Sequence, residues 1–425
     1  MKRILSFLAT AAAAFAEVHT LTLKQVVQRA LAQNPDILLA RFDEVKAEHQ
    51  IREAQDPFHP KVIVGSGLAY TSGFPMSIEG SAPSVIRADA IQTLFNREKS
   101  LQVAKAKEQA RGAAIDTQAK REEVILRTAN AYLDVDRLRR NSEIAAVQVD
   151  SLKRMLDTTR VRAAEGRELE VDSKKAAARH AQAQYTAGVL SADVSIAQEN
   201  LAGLLGFPAG DSVRPADQEQ LMLDVPADEQ EVIENAMTSS KELKSLESKL
   251  QAAGLEIKSN QAARLPKVDL VAQYGLFARF NNYDQFFQKF QRNNGQVGVS
   301  FQLPLLAGSA SKAREQQAEA DSARLRLELN SVRNRVRMDA RRAYQDLKAA
   351  ESLQEVSRLD LEAAREQVSV TTNQFSEGRA GLRQVEEARV AEQEKWMSYL
   401  NSRQNVERRK LAILRVSGTL IATLQ

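Results

Sequence analysis

The feature that most constrains this 425-residue chain is that it repeats itself. Val26-Val27 and Ala30 match Val232-Ile233 and Ala236, and Pro60-Lys61-Val62 matches Pro266-Lys267-Val268, each at a separation of 206 positions. Further along the separation becomes 212: Ala131-Tyr132 matches Ala343-Tyr344, Gly166 matches Gly378, and Gly206 matches Gly418. Widely spaced anchors that hold one offset indicate an internal duplication. The six-residue step is placed in the segments that follow Pro60 and Pro266. The mature chain therefore divides into a first repeat over 17–207, a linker over 208–227 and a second repeat over 228–425.

Each repeat has the same layout. In the first, Thr22 stands as a helix N-cap before Leu23-Lys24-Gln25-Val26-Val27, because a threonine oxygen can accept from an otherwise orphaned backbone N–H. Asn34-Pro35 breaks that helix, and a second follows over about 36–55. Beyond the hairpin region the proline content falls to nothing between Pro83 and Pro208, and again after Pro304. Both stretches are rich in Ala, Glu, Lys, Arg, Gln and Leu, which are strong helix formers. Helices are expected over about 97–163 and 310–376, each roughly 100 Å long at about 1.5 Å per residue. Helices of that length need partners along their whole course. The first carries a modest apolar stripe of Val124, Leu126, Ala129, Tyr132, Leu133, Val135 and Leu138. Gly166 and Gly378 end the two long helices, since glycine readily takes the left-handed conformation that stops a helix. Return helices over about 169–204 and 382–416 make each repeat a helical hairpin.

The hydrophobic period changes between these helices. Lys61 to Tyr70 and Val85 to Phe95 read as one hairpin, and 267–304 as its counterpart. Gln296 to Leu303 alternates cleanly, with Val297, Val299, Phe301 and Leu303 on one face, which is the signal of a strand with one apolar side. Tyr274, Phe277, Phe280, Tyr283, Phe286, Phe287, Phe290 and Phe301 are eight of the chain's 22 aromatic residues. Concentrated near strands, they suit the aromatic girdles of an outer-membrane barrel. Tyr70 and Phe74 would extend the girdle in the first hairpin. Four strands cannot close a membrane barrel, which needs at least about eight. Closure therefore requires other copies of the chain, and strand number alone allows a dimer or a trimer.

The start of the chain reads as an export signal over 1–16: Lys2-Arg3, an apolar run from Ile4 to Ala14, and the small-x-small site Ala14-Phe15-Ala16. That run is shorter than the about 20 apolar residues a membrane helix needs, and no other segment qualifies. There is no cysteine, which removes disulfides, thiolate ligands, thiol nucleophiles and a lipid-anchor cysteine. The four histidines, His19, His49, His59 and His180, share no ligand-like spacing, so no metal and no cofactor is expected. The formal charge of +4 arises from many balanced charges, without the basic-aromatic stripe of a nucleic-acid binder. Charged residues make up 27% of the chain and aromatics 5%, a balance suited to long solvated helices.

In their order, these features resemble the TolC-type outer membrane efflux family. The carrying residues are Leu21-Thr22-Leu23 through Ala30-Leu31 and Asn34-Pro35, the junctions Leu94-Phe95-Asn96 and Leu306-Ala307-Gly308, the duplication, and the two glycine tips. The resemblance implies a mainly α fold with a small β part. Long antiparallel helical hairpins would form an α-barrel, continuous with a transmembrane β-barrel shared between protomers at four strands per chain. It implies a passive homotrimeric exit duct in the outer membrane with a long periplasmic part. Its partners would be outer-membrane lipid, a periplasmic adaptor (membrane fusion) protein and an inner-membrane pump, and it would have no catalytic residue. The implied adaptor-docking tips are Arg162, Gly166, Leu169 and Asp172 in the first repeat, and Gly378, Leu382 and Val385 in the second. The first tip keeps the family spacing of arginine, glycine and aspartate. The second departs from it, with Gln374 for the arginine and Gln384 for the aspartate, while Glu387 aligns with a further family carboxylate. The implied pore constriction is Asp172, Gln384 and Glu387, where a threefold carboxylate ring would favour cations. Phe375 stands where some relatives have tyrosine, so a hydroxyl-based lock between tips is not carried over. A soluble periplasmic coiled-coil adaptor or scaffold shares the signal and the long helices, but has no use for aromatic hairpins at matched places in both halves.

Overall fold

The computed structural model describes residues 17–68, 84–216, 223–278, 288, 291–305 and 308–424. The expected signal, Tyr70, Phe74, the aromatic run Phe280, Tyr283, Phe286, Phe287 and Phe290, and the Leu306-Ala307 junction lie outside the described residues.

The first repeat runs β1 (Val18–Leu21), α1 (Leu23–Gln33), α2 (Pro35–Gln55), β2 (Lys61–Gly67), β3 (Ser84–Asn96), α3 (Arg97–Ala164) and α4 (Glu170–Leu204). After β4 (Ser212–Pro215) the second continues with α5 (Glu229–Ser239), α6 (Lys241–Ala262), β5 (Lys267–Phe277), β6 (Asn293–Gln302), α7 (Gly308–Ser376), α8 (Leu382–Val416) and α9 (Leu420–Leu424). The chain is thus mainly helical with a small β part, and α3 and α7 have 68 and 69 residues. No helix among the described residues is long and apolar enough to cross a membrane.

Local chemistry accounts for the element boundaries. Thr22 and Gln25 form a reciprocal capping box: the Gln25 N–H donates to Thr22 Oγ1 at 3.3 Å and the Thr22 N–H to Gln25 Oε1 at 2.9 Å. Asn34 is buried where α1 gives way to α2. Its amide group donates to the Leu204 carbonyl at 2.8 Å, and its Oδ1 accepts the Asp36 N–H at 2.9 Å. Pro35, at the first position of α2, has no N–H to leave unsatisfied.

Two compact units take matching pieces from both repeats: 1–39, 118–240 and 334–425 in one, 40–117 and 241–333 in the other. In the first unit Leu23, Val26, Val27 and Ala30 of α1 pack on Val124, Ile125, Ala129, Tyr132 and Val135 of α3 and on Leu201, Leu411 and Leu414. Most of the expected stripe is therefore core, and Ile125 joins it. Val232, Ile233 and Ala236 of α5 pack likewise with Leu347 and Ile413. The duplication extends to hydrogen bonds: Tyr132 donates to the Leu21 carbonyl at 3.3 Å, and Tyr344 to the Ala227 carbonyl at 2.9 Å. A short parallel ladder joins β1 to β4. It places a strand inside the segment read from sequence as a linker.

In the second unit, hydroxyls hold neighbouring helices close. Ser248 and Ser259 of α6 donate to the carbonyls of Glu108 (2.6 Å) and Glu98 (3.2 Å) on α3, and Thr117 to that of Ala40 on α2 (3.1 Å). Gly112 sits opposite Ser248, where a Cβ would stand 3.4 Å from its Oγ. The same unit holds one antiparallel sheet in the order β2-β3-β5-β6.

Candidate functional site

Two regions carry the residues singled out by sequence: the sheet and the hairpin tips.

The sheet separates its residues by alternation. In register, Val62 lies opposite Ala90, Ala90 opposite Ala272, and Ala272 opposite Val297. Following these rows, one face carries Val62, Val64, Ile86, Ala88, Ala90, Val268, Leu270, Ala272, Tyr274, Val297, Val299 and Phe301, with Gln92 as a polar member towards the helices. The other face carries Lys61, Arg87, Asp89, Thr93, Lys267, Asp269, Gln273, Gln296, Ser300 and Gln302, interrupted by Ile63, Ile91 and Val271. Polar groups on that face engage one another: Arg87 pairs with Asp89 at 2.7 Å, and the Gln296 side chain donates to that of Gln273. The apolar face is bare, with Val297 77% and Phe301 64% exposed. Among the described residues neither β2 nor β6 has a neighbour on its outer side.

Tyr274 and Phe301 share the apolar face. Phe301 lies opposite Val268, and Tyr274 stands six residues farther along β5, roughly 20 Å at about 3.4 Å per residue. Phe277 departs from the expected set. Alternation puts it on the face opposite Tyr274, beside Gly275, whose added Cβ would meet the Phe277 ring at 3.4 Å. The Phe277 carbonyl accepts from the Arg292 side chain at 2.8 Å, and the Phe277 N–H donates to the Arg292 carbonyl at 3.1 Å, closing the last rung of the hairpin.

At the tips, Gly166 and Gly378 take the expected left-handed conformation, with φ of 71° and 73°. The backbone wraps identically: the Arg167 N–H donates to the Arg162 carbonyl and the Arg379 N–H to the Gln374 carbonyl, both at 2.8 Å. The Arg162 side chain lies 3.5 Å from Glu168. Leu169 caps α4 with its backbone extended and its side chain exposed. Val161, Val171 and Phe375, absent from the expected docking set, are also exposed apolar side chains near the tips. Leu382 is half-buried. Val385 is a correction: at 3% exposure it packs inside the protomer and is not displayed on the tip surface.

The three expected constriction residues come together. Asp172, Gln384 and Glu387 line one cleft of about 320 Å³, with Met155, Thr159, Lys175, Arg179 and Arg383 around them. Glu387 does not present a free carboxylate. Arg179 of α4 donates to its Oε1 at 2.9 Å, and Arg383 lies 4.0 Å from the same oxygen. Gln384 uses its amide oxygen to accept the Gly381 N–H at 3.0 Å, which anchors the start of α8. Beside it the carboxylate of Glu386 is buried, accepting from the Ser151 hydroxyl and from Arg389 at 3.1 Å. Arg179, Ser151 and Glu386 were not found from sequence. Each contact spans a separation of 208 or 235 residues, and no local pattern marks such pairs. Among the described residues no group of His, Asp and Glu could hold a metal ion.

The family model described as "Outer membrane efflux protein" matches residues 26–207 and 232–419, the two repeats in turn. The chain is 23% identical to "Outer membrane protein TolC" of Escherichia coli (strain K12), over 94% of this chain and 82% of that protein. Among solved structures it superposes on the Campylobacter jejuni CmeC outer membrane channel with a TM-score of 0.79, at 14% identity, covering 94% of this chain and 86% of that one. The outer membrane protein VceC of Vibrio cholerae gives a TM-score of 0.74 at 17% identity, covering 93% and 96%.

Proposed function

The chain belongs to the outer membrane efflux protein family, and from that premise we propose that it is the passive exit duct of a tripartite efflux or type I secretion system. The observation that carries this reading is the sheet. Among the described residues it has one bare apolar face, one polar face and two open outer edges. An open edge is not tolerated in a bilayer, where every backbone polar group must be satisfied. Three copies supply twelve strands, which close into one barrel with the apolar face towards lipid and the polar face lining the lumen. Tyr274 and Phe301, about 20 Å apart along the sheet, then fall near the two interfaces of an apolar band about 25 Å tall.

β3 passes into α3, a limb of one of the two long helical hairpins, without an intervening residue. Those hairpins form the periplasmic part of the conduit. Their tips, with exposed Leu169, Val161 and Val171 around Gly166 and exposed Phe375 beside Gly378, dock a periplasmic adaptor that joins the duct to an inner-membrane pump. Asp172, Gln384 and Glu387 narrow the pore at that end. Because Arg179 answers Glu387, the charge there is set by the whole cleft and not by one carboxylate ring. The family is one of channels and not of enzymes, and the pump supplies the energy.

The test is the mass of the protein extracted in detergent from isolated outer membranes. A trimer that requires detergent is expected. A monomer recovered in water from the periplasmic fraction overturns the reading.

A further inference from the structure

The sheet contains a template for its own closure. β3 of the first repeat pairs with β5 of the second inside one chain. In a ring of copies, β6 of one protomer meets β2 of the next, which is the same junction between a second strand and a first strand. The mapping between repeats is fixed by two registers. Lys61 and Lys267 are equivalent, 206 positions apart (267 − 61), and they lie opposite Ile91 and Gln302. Ile91 and Gln302 are therefore equivalent too, 211 positions apart (302 − 91).

Applying these two offsets to the observed β3–β5 rungs gives the missing seam. Ala88 opposite Tyr274 becomes Val299 opposite Leu68; Ala90 opposite Ala272 becomes Phe301 opposite Ser66; Gln92 opposite Leu270 becomes Leu303 opposite Val64. We infer that β6 of each protomer pairs antiparallel with β2 of a second copy in this register, with Phe301 facing Ser66.

An independent feature agrees. Val299 and Phe301 lie on the apolar face of β6, and Val64 lies on the apolar face of β2. A slip of one residue would send one strand's apolar set to the polar side, so only slips of two residues compete, and the internal rung selects among them. Both strands are bare at the positions concerned: Val64, Leu68, Val299, Phe301 and Leu303 are all exposed in the single chain. The large Phe301 ring opposite the small Ser66 side chain also has room to lie over the seam on the lipid side.

The inference rests on the shared-barrel reading, and the experiment separates the two. The chain has no cysteine, so pairs can be introduced cleanly. Directly opposite side chains on antiparallel strands have Cβ atoms about 4.5–5.5 Å apart and diagonal ones about 7–8 Å, whereas a disulfide wants roughly 3.5–4.5 Å. Under mild oxidation in outer membranes, Ser66→Cys with Phe301→Cys is expected to give a covalent trimer on a non-reducing gel. Val64→Cys or Leu68→Cys with Phe301→Cys should cross-link at least about tenfold less. Ala90→Cys with Ala272→Cys, the internal rung from which the seam is copied, serves as the positive control within one chain. The oligomeric mass of the cysteine-free protein is measured alongside. A trimer in which a shifted pair dominates, or in which no seam pair links while the control does, overturns the register and leaves the barrel. A monomer overturns both.

Discussion

Gly418 is where the structure makes its most quantitative demand. Its φ is +74°, and a Cβ placed on it would stand 2.5 Å from Ser239 Cβ and 2.7 Å from Ser239 Oγ. Gly378 has nearly the same φ, +73°, but nothing within 4 Å of an added Cβ. Alanine at either position bears the left-handed penalty of about 1–2 kcal/mol. At Gly418 it must also push α8 and α9 away from the end of α5, an overpacking cost of about 1–3 kcal/mol. Gly418→Ala should therefore cost about 2–5 kcal/mol and Gly378→Ala about 1–2 kcal/mol. Amide hydrogen exchange of the 411–424 segment reads this locally in the detergent-solubilised protein. At about 1.4 kcal/mol per decade, exchange there should accelerate roughly 30- to 4000-fold in Gly418→Ala. Ser239→Gly removes both clashing atoms. In that background the cost of Gly418→Ala should fall to the bare conformational value, a coupling of about 1–3 kcal/mol in the double-mutant cycle. Equal costs in the two backgrounds would refute the close-approach argument and leave φ as the whole explanation.

Other outcomes follow from the same geometry. Asn34→Ala deprives the Leu204 carbonyl of its donor and the Asp36 N–H of its acceptor, and should destabilise the protein by about 1–3 kcal/mol, read as a lowered denaturation midpoint. Arg179→Gln removes the nearer of the two arginines at the Glu387 carboxylate and should raise cation preference in planar bilayers, while Glu387→Gln should lower it; reversal potentials under a salt gradient that move the same way in both variants would count against a shared cleft charge. On α7 the hydrogen bond from Arg358 holds the Glu355 carboxyl below the ordinary glutamate range. A depressed carboxyl contributes stability above its unfolded pKa and loses it as pH falls through the folded one, so carboxyl NMR should place its titration below that of an ordinary glutamate, and Arg358→Gln should move it back up.

How much could be read from the linear chain depended on how local the cause was. The N-cap at Thr22, the break at Asn34-Pro35, the left-handed tips at Gly166 and Gly378, and the alternation of Gln296 to Leu303 each depend on a few consecutive residues. Helix and strand periods repeat within a turn or two residues, so the sequence alone carried them, and the duplication added the layout of the second half from the first. The six-residue step was visible only as a sum. Strand register assigns five of its residues to the hairpin, and α7 is one residue longer than α3. The parallel pairing of β1 with β4 was hidden because four-residue strands carry no period, and their partners are 194 residues apart, as Val18 and Ser212 are. Tertiary structure alone decided that β3 meets β5, that Arg179 reaches Glu387, and that Val385 and Glu386 turn inward while Leu169 remains exposed. Those outcomes depend on which helix face meets which neighbour across some two hundred residues, a choice made by packing the whole chain at once.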